Sequence, residues 1–121
     1  MKLVLLDAAP SSHPVAAATR AALAAQAASR GWTSHSFFLP DIDITDCAGD
    51  FKCWTQTPGV CAINDANRVI ARAIATSDVL VLLTPVTFGG YASGLKKALD
   101  HLIQDISPFF EVVGAILEVY F

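Results

Sequence analysis

The chain has 121 residues, of which 54% are hydrophobic and 16% are charged. This length suits a single domain, and the composition excludes an intrinsically disordered chain. The formal net charge of −3, from 8 basic and 11 acidic residues, gives no basic footprint for a nucleic-acid backbone or an anionic membrane surface. We therefore expect one compact domain, residues 1–121, with neither of these partners.

The ends of the chain and its cysteines predict a mature, cytoplasmic protein. The apolar run Leu3–Leu6 is cut short by Asp7, so it lacks the apolar core of a secretory signal peptide. The tail Val112–Phe121 is too short to span a membrane and contains Glu118. Three cysteines without an export signal fit a reducing compartment better than a disulfide framework.

The first segment predicts a strand followed by a helix. Leu3–Leu6 is a continuous apolar run, which is typical of a central parallel strand that is covered on both faces. A helix over Val15–Arg30 follows, with Pro14 at a first helical position and Gly31 after the last. Either of two side chains can cap its N-terminus, Ser12 or His13.

The next segment predicts a second strand and then a long insertion. Trp32–Leu39 alternates loosely between polar and apolar residues, and Pro40 ends the strand. Asp41–Ile63 has no usable periodicity, and a segment of this length without regular structure is usually functional. It contains all three cysteines, Cys47, Cys53 and Cys61.

Two helices flank a further buried strand in the rest of the chain. The first helix follows Asn64 and Asp65, which supply its cap and its N-terminal negative charge. The strand Val79–Leu83 is again an uninterrupted apolar run, so we expect it beside the first strand. The loop Thr84–Ala92 and the second helix follow, and Pro108 closes this unit. The positions expected on the buried faces are Val69, Ile70, Ala73 and Ile74 in the first helix and Leu95, Ala98, Leu99, Leu102 and Ile103 in the second.

This alternation of strands and helices predicts the α/β class, a three-layer sandwich with a parallel sheet between helices. Val112–Phe121 offers a fourth strand. In such sheets ligands bind beyond the carboxyl ends of the strands. Here those ends are the loops Ala8–His13 and Thr84–Tyr91, which we take as the candidate site.

The first of these loops joins a strand to the N-terminus of a helix. Free backbone N–H groups and the positive end of the helix dipole attract a phosphate there. Two interpretations stay open, because the same residue types also make ordinary turns and caps. The candidate phosphate-binding residues are Pro10, Ser11, Ser12 and His13.

The second loop carries the stronger signal. A rigid proline, two aromatic residues and two adjacent glycines follow a buried strand, and glycines let the backbone approach a flat ligand closely. Backbone N–H groups there can bond to ring heteroatoms while Phe88 or Tyr91 packs against the ring. The alternative is a flexible Gly-Gly turn with Phe88 as a core side chain. The candidate ring-binding residues are Pro85, Val86, Thr87, Phe88, Gly89, Gly90 and Tyr91.

Three stretches of the chain, Ala8–His13, Cys47–Cys61 and Thr84–Asp100, resemble the flavodoxin-like NAD(P)H-dependent FMN reductases, including their iron-sulfur flavoprotein branch. The resemblance covers Met1 to about Phe110 and is most specific in Thr84–Asp100. It implies a flavodoxin-like fold that lacks the C-terminal strand-helix unit. The sheet edge exposed by that absence favours a homo-oligomer, a dimer or a tetramer.

The resemblance also implies a cofactor and an activity. The first loop would hold the phosphate of FMN, and Pro85–Gly90 would line the isoalloxazine ring. Hydride would pass from NAD(P)H to the flavin, and electrons would then reach a quinone, free flavin or another small-molecule acceptor. Because the protein supplies binding, orientation and electrostatics in such chemistry, we nominate no catalytic residue. Two alternatives stay open: an electron-transfer protein with FMN and an iron-sulfur cluster, and a truncated, cofactor-free relative that acts as an assembly unit.

The cysteine spacing departs from the pattern of the iron-sulfur flavoprotein branch. There a compact group of four cysteines holds a [4Fe-4S] cluster, whereas here Asp50 stands where a second cysteine is expected. Such clusters normally need four thiolates, so we expect none. We expect instead three reduced cysteines, Cys47, Cys53 and Cys61, in a lid beside the flavin, with Trp54 shielding it. The less common alternative uses these thiolates and the Asp50 carboxylate as cluster ligands.

Overall fold

The structure is a computed structural model, and it describes residues 1–105 and the strand at 116–120. Its four strands are β1 (Lys2–Asp7), β2 (Thr33–Phe38), β3 (Val79–Thr84) and β4 (Ile116–Tyr120). Its helices are α1 (Pro14–Ser29), α2 (Lys52–Thr55), α3 (Asn67–Ala75) and α4 (Ser93–Asp100), with short 3₁₀ turns at Leu39–Asp41 and His101–Gln104. The predicted end of the last helical unit, Pro108, lies outside the described residues.

The strands form one parallel sheet in the order β2-β1-β3-β4. β3 pairs with β1, as the two uninterrupted apolar runs predict, and the tail supplies β4 beside β3. The α/β class, the parallel sheet and a strand within Val112–Phe121 are therefore confirmed. β2 lies at one edge, and its first four residues are exposed, which agrees with the loose alternation of its sequence.

Helices cover both faces of the sheet, as the three-layer prediction requires. Successive side chains of a strand point to opposite faces, so β1 and β3 each contribute to two cores. On one face Leu6 and Leu82 lie in a cluster with Ile70 and Ile74 of α3 and Leu95 of α4. The cluster on the other face contains Leu3, Leu5, Val81 and Leu83, with Ala16 and the half-buried Leu23 of α1. Each fully buried leucine or isoleucine contributes about 1.5–3 kcal/mol to folding.

Both ends of α1 follow from its sequence. Pro14 occupies the first position, and Nδ1 of His13 accepts a hydrogen bond from Ala16 N at 3.4 Å, so His13 is the cap. Gly31 follows the helix with φ +69°, a conformation that favours glycine. α1 has 16 residues, and no helix in the described ranges is long and apolar enough to cross a membrane.

The buried face of α3 differs from the prediction. Val69 is 59% exposed. The buried side chains of the helix are Asn67, Ile70, Ala71 and Ile74. Asn67, Ile70 and Ile74 follow one another at intervals of three and four residues and therefore share one face, which leaves Val69 on the other side. The predicted side-chain cap at Asn64 and Asp65 is wrong, because Ala66 is the N-cap and no side chain caps the helix. Asp65 lies one position earlier, where its Oδ1 accepts a hydrogen bond from Asn67 N at 2.8 Å.

The last predicted helix is shorter than its apolar spacing indicates. α4 ends at Asp100, and the chain continues as a 3₁₀ turn. Leu95 and Ala98 are buried as predicted. The remaining three apolar positions are only half-buried: Leu99, Leu102 and Ile103. The most buried residues of the turn are the polar His101 and Gln104, because both side chains make hydrogen bonds inside the fold.

Candidate functional site

The two predicted loops leave the sheet side by side. Their parent strands β1 and β3 are adjacent and parallel, with Asp7 paired opposite Leu83. Just beyond this pair, Ala8 N donates a hydrogen bond to Leu83 O at 2.8 Å. Residues 8–13 and 85–92 therefore begin at the same edge of the sheet, between its two central strands, as the sequence predicts.

The first loop presents backbone donors to solvent. Pro10, Ser11 and Ser12 are exposed, and His13 is half-buried. A turn forms where His13 N donates to Pro10 O at 3.1 Å. The N–H groups of Ser11 and Ser12 donate to no acceptor in the described part of the chain. Because they stand just before the N-terminus of α1, they are available to an anion.

A tight turn shapes the second loop. Thr87 N donates to Gly90 O at 2.7 Å, and Gly90 N donates to Thr87 O at 3.0 Å. The two central residues, Phe88 and Gly89, have φ values of 50° and 80°, as in a type I′ turn. At the base of the loop, Oγ1 of the buried Thr84 accepts a hydrogen bond from Ala92 N at 2.9 Å.

The second loop also exposes apolar side chains. Phe88 is fully exposed, so the alternative that it is a core side chain is wrong. Val86 and Tyr91 are exposed by 51% and 39%. The N–H groups of Phe88 and Gly89 find no acceptor among the described residues. Exposed apolar surface next to unpaired N–H groups is what a flat, polar-edged ring needs. The other predicted residues of this loop are the half-buried Pro85 and Gly90 and the exposed Thr87.

An ion pair that the sequence patterns do not predict lies beneath the first loop. Asp7 is buried at the end of β1, and both its oxygens accept hydrogen bonds from the guanidinium of Arg20 in α1. The hydrogen bond and the charge of Asp7 raise the pKa of Arg20 above its already high ordinary value. The sequence contains a signal for this pair: Asp7 ends an apolar strand, and Arg20 is the single charged residue of the alanine-rich helix that follows.

A polar network connects the cysteine segment, residues 41–63, to the turn after α4. Oε1 of the buried Gln104 accepts a hydrogen bond from Cys61 N at 2.8 Å. Nε2 of His101 donates to Thr45 O, since a carbonyl can only accept. In the neutral ring Nδ1 is then an acceptor, and it lies 3.7 Å from Cys61 Sγ. Trp54 is attached to the same turn, because its Nε1 donates to Ile103 O at 2.7 Å.

The three cysteines line one small cavity of about 20 Å³, which has room for about one water molecule. Cys53 is buried, Cys47 and Cys61 are half-buried, and none forms a disulfide. Burial raises the pKa of the Cys53 thiol. The cavity walls come from residues between 47 and 63 and from His101, Ile103 and Gln104. Neither the first loop nor the second loop contributes a residue to them. The cysteines thus face the turn after α4, and their place in a lid beside a flavin stays a prediction.

The described residues do not assemble a set of cluster ligands. Within residues 1–105 and 116–120, no group of three or more His, Cys, Asp or Glu side chains is placed to hold a metal ion. Asp50, the fourth ligand of the less common alternative, is exposed, and its Oδ1 accepts a hydrogen bond from Lys52 N at 3.1 Å. A [4Fe-4S] cluster needs four ligands, so the donor set on this segment does not fit one.

One buried carboxyl group at the end of the turn lacks a partner. Asp105 is 9% exposed, and its Oδ2 has no hydrogen-bond partner in the described structure. Burial raises the pKa of Asp105 to about 7. The group lies at the far end of the chain segment that carries His101 and Gln104, and we assign it no part in the candidate site.

Comparison with known proteins identifies the family. A family model described as NADPH-dependent FMN reductase matches residues 1–120. The chain belongs to this family. A comparison with the curated proteins finds no match.

Solved structures share the fold of this FMN reductase family member at low sequence identity. The NAD(P)H:quinone oxidoreductase from Methanothermobacter marburgensis has a TM-score of 0.72 and 15% identity, over 99% of this chain and 65% of its own. The azoreductase from Bacillus anthracis has a TM-score of 0.64 and 15% identity, over 84% and 55%. An NADH:FMN oxidoreductase in its apo form has a TM-score of 0.60 and 20% identity, over 84% and 49%. The likeness shows the flavodoxin-like α/β fold, and the chain spans about half to two thirds of the length of these proteins.

The residues at the strand tips fit the FMN in the name of the family. Ser11 and Ser12 offer unpaired N–H groups and hydroxyls at a helix N-terminus, which suits a phosphate. Val86, Phe88 and Tyr91 offer exposed apolar and aromatic surface, which suits a ring. Because the two loops start from adjacent strands, one phosphorylated heterocycle can contact both.

Proposed function

We propose that this chain is an FMN-dependent oxidoreductase that takes hydride from NAD(P)H and passes electrons to a quinone, a flavin or another small-molecule acceptor. One observation carries the proposal: adjacent parallel strands end in one loop with unpaired N–H groups and a second loop with an exposed aromatic turn. Membership of the NADPH-dependent FMN reductase family supports the nicotinamide as the source of hydride. The proposal concerns the activity of the whole protein, since the chain is shorter than its solved neighbours.

In this proposal the first loop binds the phosphate of FMN. Each amide N–H of Ser11 and Ser12 donates a hydrogen bond to a phosphate oxygen, and the two hydroxyls add donors. Pro10 fixes the backbone before them, and His13 closes the turn through its N–H. The positive end of the α1 dipole adds an attraction of about 0.3–1 kcal/mol for a charge at this position.

The second loop binds the ring. Pro85 and Thr87 hold the backbone of the turn. Gly89 and Gly90 have no side chain, so the ring can approach the backbone closely. The apolar contacts come from Val86, Phe88 and Tyr91. The unpaired N–H groups of Phe88 and Gly89 can donate to acceptor atoms on the ring edge. When bound, FMN supplies the hydride and electron chemistry, and the chain supplies position, hydrogen bonds and exclusion of water.

A flavin titration tests the proposal. The purified protein is titrated with FMN while flavin fluorescence is followed, and NADPH absorbance is then followed with a quinone as acceptor. We expect saturable binding of one FMN per chain and NADPH oxidation that requires both FMN and acceptor. A colourless protein that neither binds FMN nor gains thermal stability from it contradicts the proposal and favours the cofactor-free assembly unit.

The same purified protein tests the electron-transfer alternative. Because Asp50 stands in place of a fourth thiolate, we expect little iron after anaerobic reconstitution with iron and sulfide. About four irons per chain, with broad iron-sulfur absorption that is lost in Cys53→Ala, would show that the protein carries a cluster.

We include a homo-oligomer in the proposal. The face of the sheet under α1 leaves an open apolar groove, whose walls include the half-buried Leu23, Trp32 and Val79. Half-buried apolar surface of this kind is stabilised when a second surface covers it. Measurement of the mass in solution by light scattering tests the expectation of a dimer or a tetramer, and a stable, soluble monomer contradicts it.

A further inference from the structure

The ion pair beneath the first loop also contacts the loop itself. Nη2 of Arg20 donates to Ala9 O at 3.1 Å and to Pro10 O at 3.3 Å. Asp7 holds the same stretch from the other side, because its Oδ1 accepts a hydrogen bond from Ala9 N at 3.0 Å. The aromatic ring of Phe38 lies 5.5 Å from the centre of the guanidinium and limits its movement. The pair therefore acts as a clamp, defined as Asp7 with Arg20, on the inner side of residues 9 and 10.

The clamp fixes the orientation of the peptide group between Pro10 and Ser11. In a trans peptide the carbonyl and the N–H point in opposite directions, and the described chain has no cis peptide bond. Because Arg20 draws Pro10 O inward, the N–H of Ser11 points away from the clamp and toward solvent. This N–H is one of the two unpaired donors proposed to hold the phosphate.

Arg20 also supplies the positive charge that the loop itself does not carry. Residues 8–13 contain no lysine and no arginine. A cation that binds a carbonyl polarises the whole peptide group, so the N–H on its other side becomes a stronger donor to an anion. The charge of Arg20 thus reaches the phosphate position through the Pro10–Ser11 peptide group without a direct contact.

We propose that Arg20, held in place by Asp7, is a positioning residue that sets the affinity of the first loop for a phosphate group. The inference rests on the proposed binding of FMN and adds the side chain that shapes the phosphate site. It distinguishes the phosphate from the ring, because among the described residues the hydrogen bonds from the clamp to the two loops all go to the first loop.

A comparison of FMN with riboflavin, which lacks the phosphate, tests the role of Arg20. Arg20→Lys keeps the charge beside Asp7 but loses the planar group whose Nε binds Asp7 while its Nη2 reaches the two carbonyls. We expect the affinity for FMN to fall about tenfold in Arg20→Lys, as the loss of one charge-assisted hydrogen bond predicts, while the affinity for riboflavin stays within about twofold. The matched control is Arg30→Lys, because Arg30 lies over Trp32 at the other end of α1 and should leave both affinities unchanged.

Folding of the variants is checked by circular dichroism, because Asp7 is buried and needs a partner. If Arg20→Lys does not fold, the double variant Asp7→Asn with Arg20→Gln replaces the ions by neutral amides and is expected to show the same selective loss for FMN. Equal losses for FMN and riboflavin, or no loss for either, would overturn the role of Arg20 while leaving FMN binding intact. Failure of the unaltered protein to bind FMN would overturn the proposed function and this inference together.

Discussion

Nε2 of Gln104 donates a hydrogen bond to Oδ1 of Asn67 at 3.1 Å, and both side chains are 1% exposed. The same nitrogen also donates to His101 O at 2.8 Å, and Asn67 in turn donates to Ile63 O at 3.0 Å. Two uncharged amides thus join α3, the turn after α4 and the end of the cysteine segment. Buried polar groups are costly unless they are paired, so these side chains hold the three segments in one arrangement.

Loss of Gln104 should destabilise the fold strongly. Gln104→Ala removes the partner of the buried Asn67 Oδ1 and of the half-buried Cys61 N, and it opens a cavity. We expect the free energy of unfolding to fall by about 2–4 kcal/mol, measured by urea denaturation. In the control Gln26→Ala, which changes an exposed glutamine of α1, the change should stay within about 0.5 kcal/mol. Equal effects of the two substitutions would contradict the role of the network.

The adjacent glycines of the second loop should respond differently to substitution. Gly89 has φ +80°, where an L side chain is strained, although no atom lies within 4 Å of the added Cβ. Gly89→Ala should therefore cost about 1–2 kcal/mol of folding free energy. It should also weaken FMN binding, because the strained turn shifts its N–H groups. Gly90→Ala is the matched control for stability, since its Cβ would make an ordinary contact at 3.8 Å with Thr87 O. Equal losses of stability in the two variants would contradict the strain at Gly89.

Phe88 should lower the free energy of unfolding and raise the affinity for FMN. A non-glycine residue with φ 50° is strained, and asparagine tolerates this region better than phenylalanine. Phe88→Asn is expected to raise the free energy of unfolding by about 0.5–1 kcal/mol and to lower the affinity for FMN. Phe51→Asn is the control, because Phe51 has φ 56° but lies in the cysteine segment. It should leave FMN affinity unchanged. An unaltered affinity in Phe88→Asn would remove Phe88 from the site.

The stability of the protein should depend on pH through Asp105. Burial raises the pKa of Asp105 to about 7 in the folded protein, from an ordinary value of 3.8. Between these values the folded protein keeps a proton that the unfolded chain has released, so this group lowers the free energy of unfolding as pH rises. Asp105→Asn should therefore stabilise the protein more at pH ~8 than at pH ~5, measured by thermal denaturation. Asp100→Asn, which removes an exposed carboxylate paired with Lys96, provides the control. An equal effect of Asp105→Asn at both pH values contradicts the assignment.

The strands and the meeting of the two loops at one edge of the sheet were predictable, whereas the contacts beneath the loops were not. β1 and β3 are uninterrupted apolar runs, which mark buried strands whatever their partners, and parallel strands bring their loops to one edge. The pair Asp7 with Arg20 and the pair Asn67 with Gln104 join residues 13 and 37 positions apart. Periodicity describes only local structure, so it cannot reveal such pairs. The assignment of Ser11 and Ser12 to the phosphate stays a prediction.

The most direct test of the central claim is a crystal structure of the protein soaked with FMN. We predict phosphate oxygens within hydrogen-bond distance of the amide nitrogens of Ser11 and Ser12, with the isoalloxazine ring against residues 85–91. A crevice that stays empty, or one that the polypeptide itself fills, would contradict it.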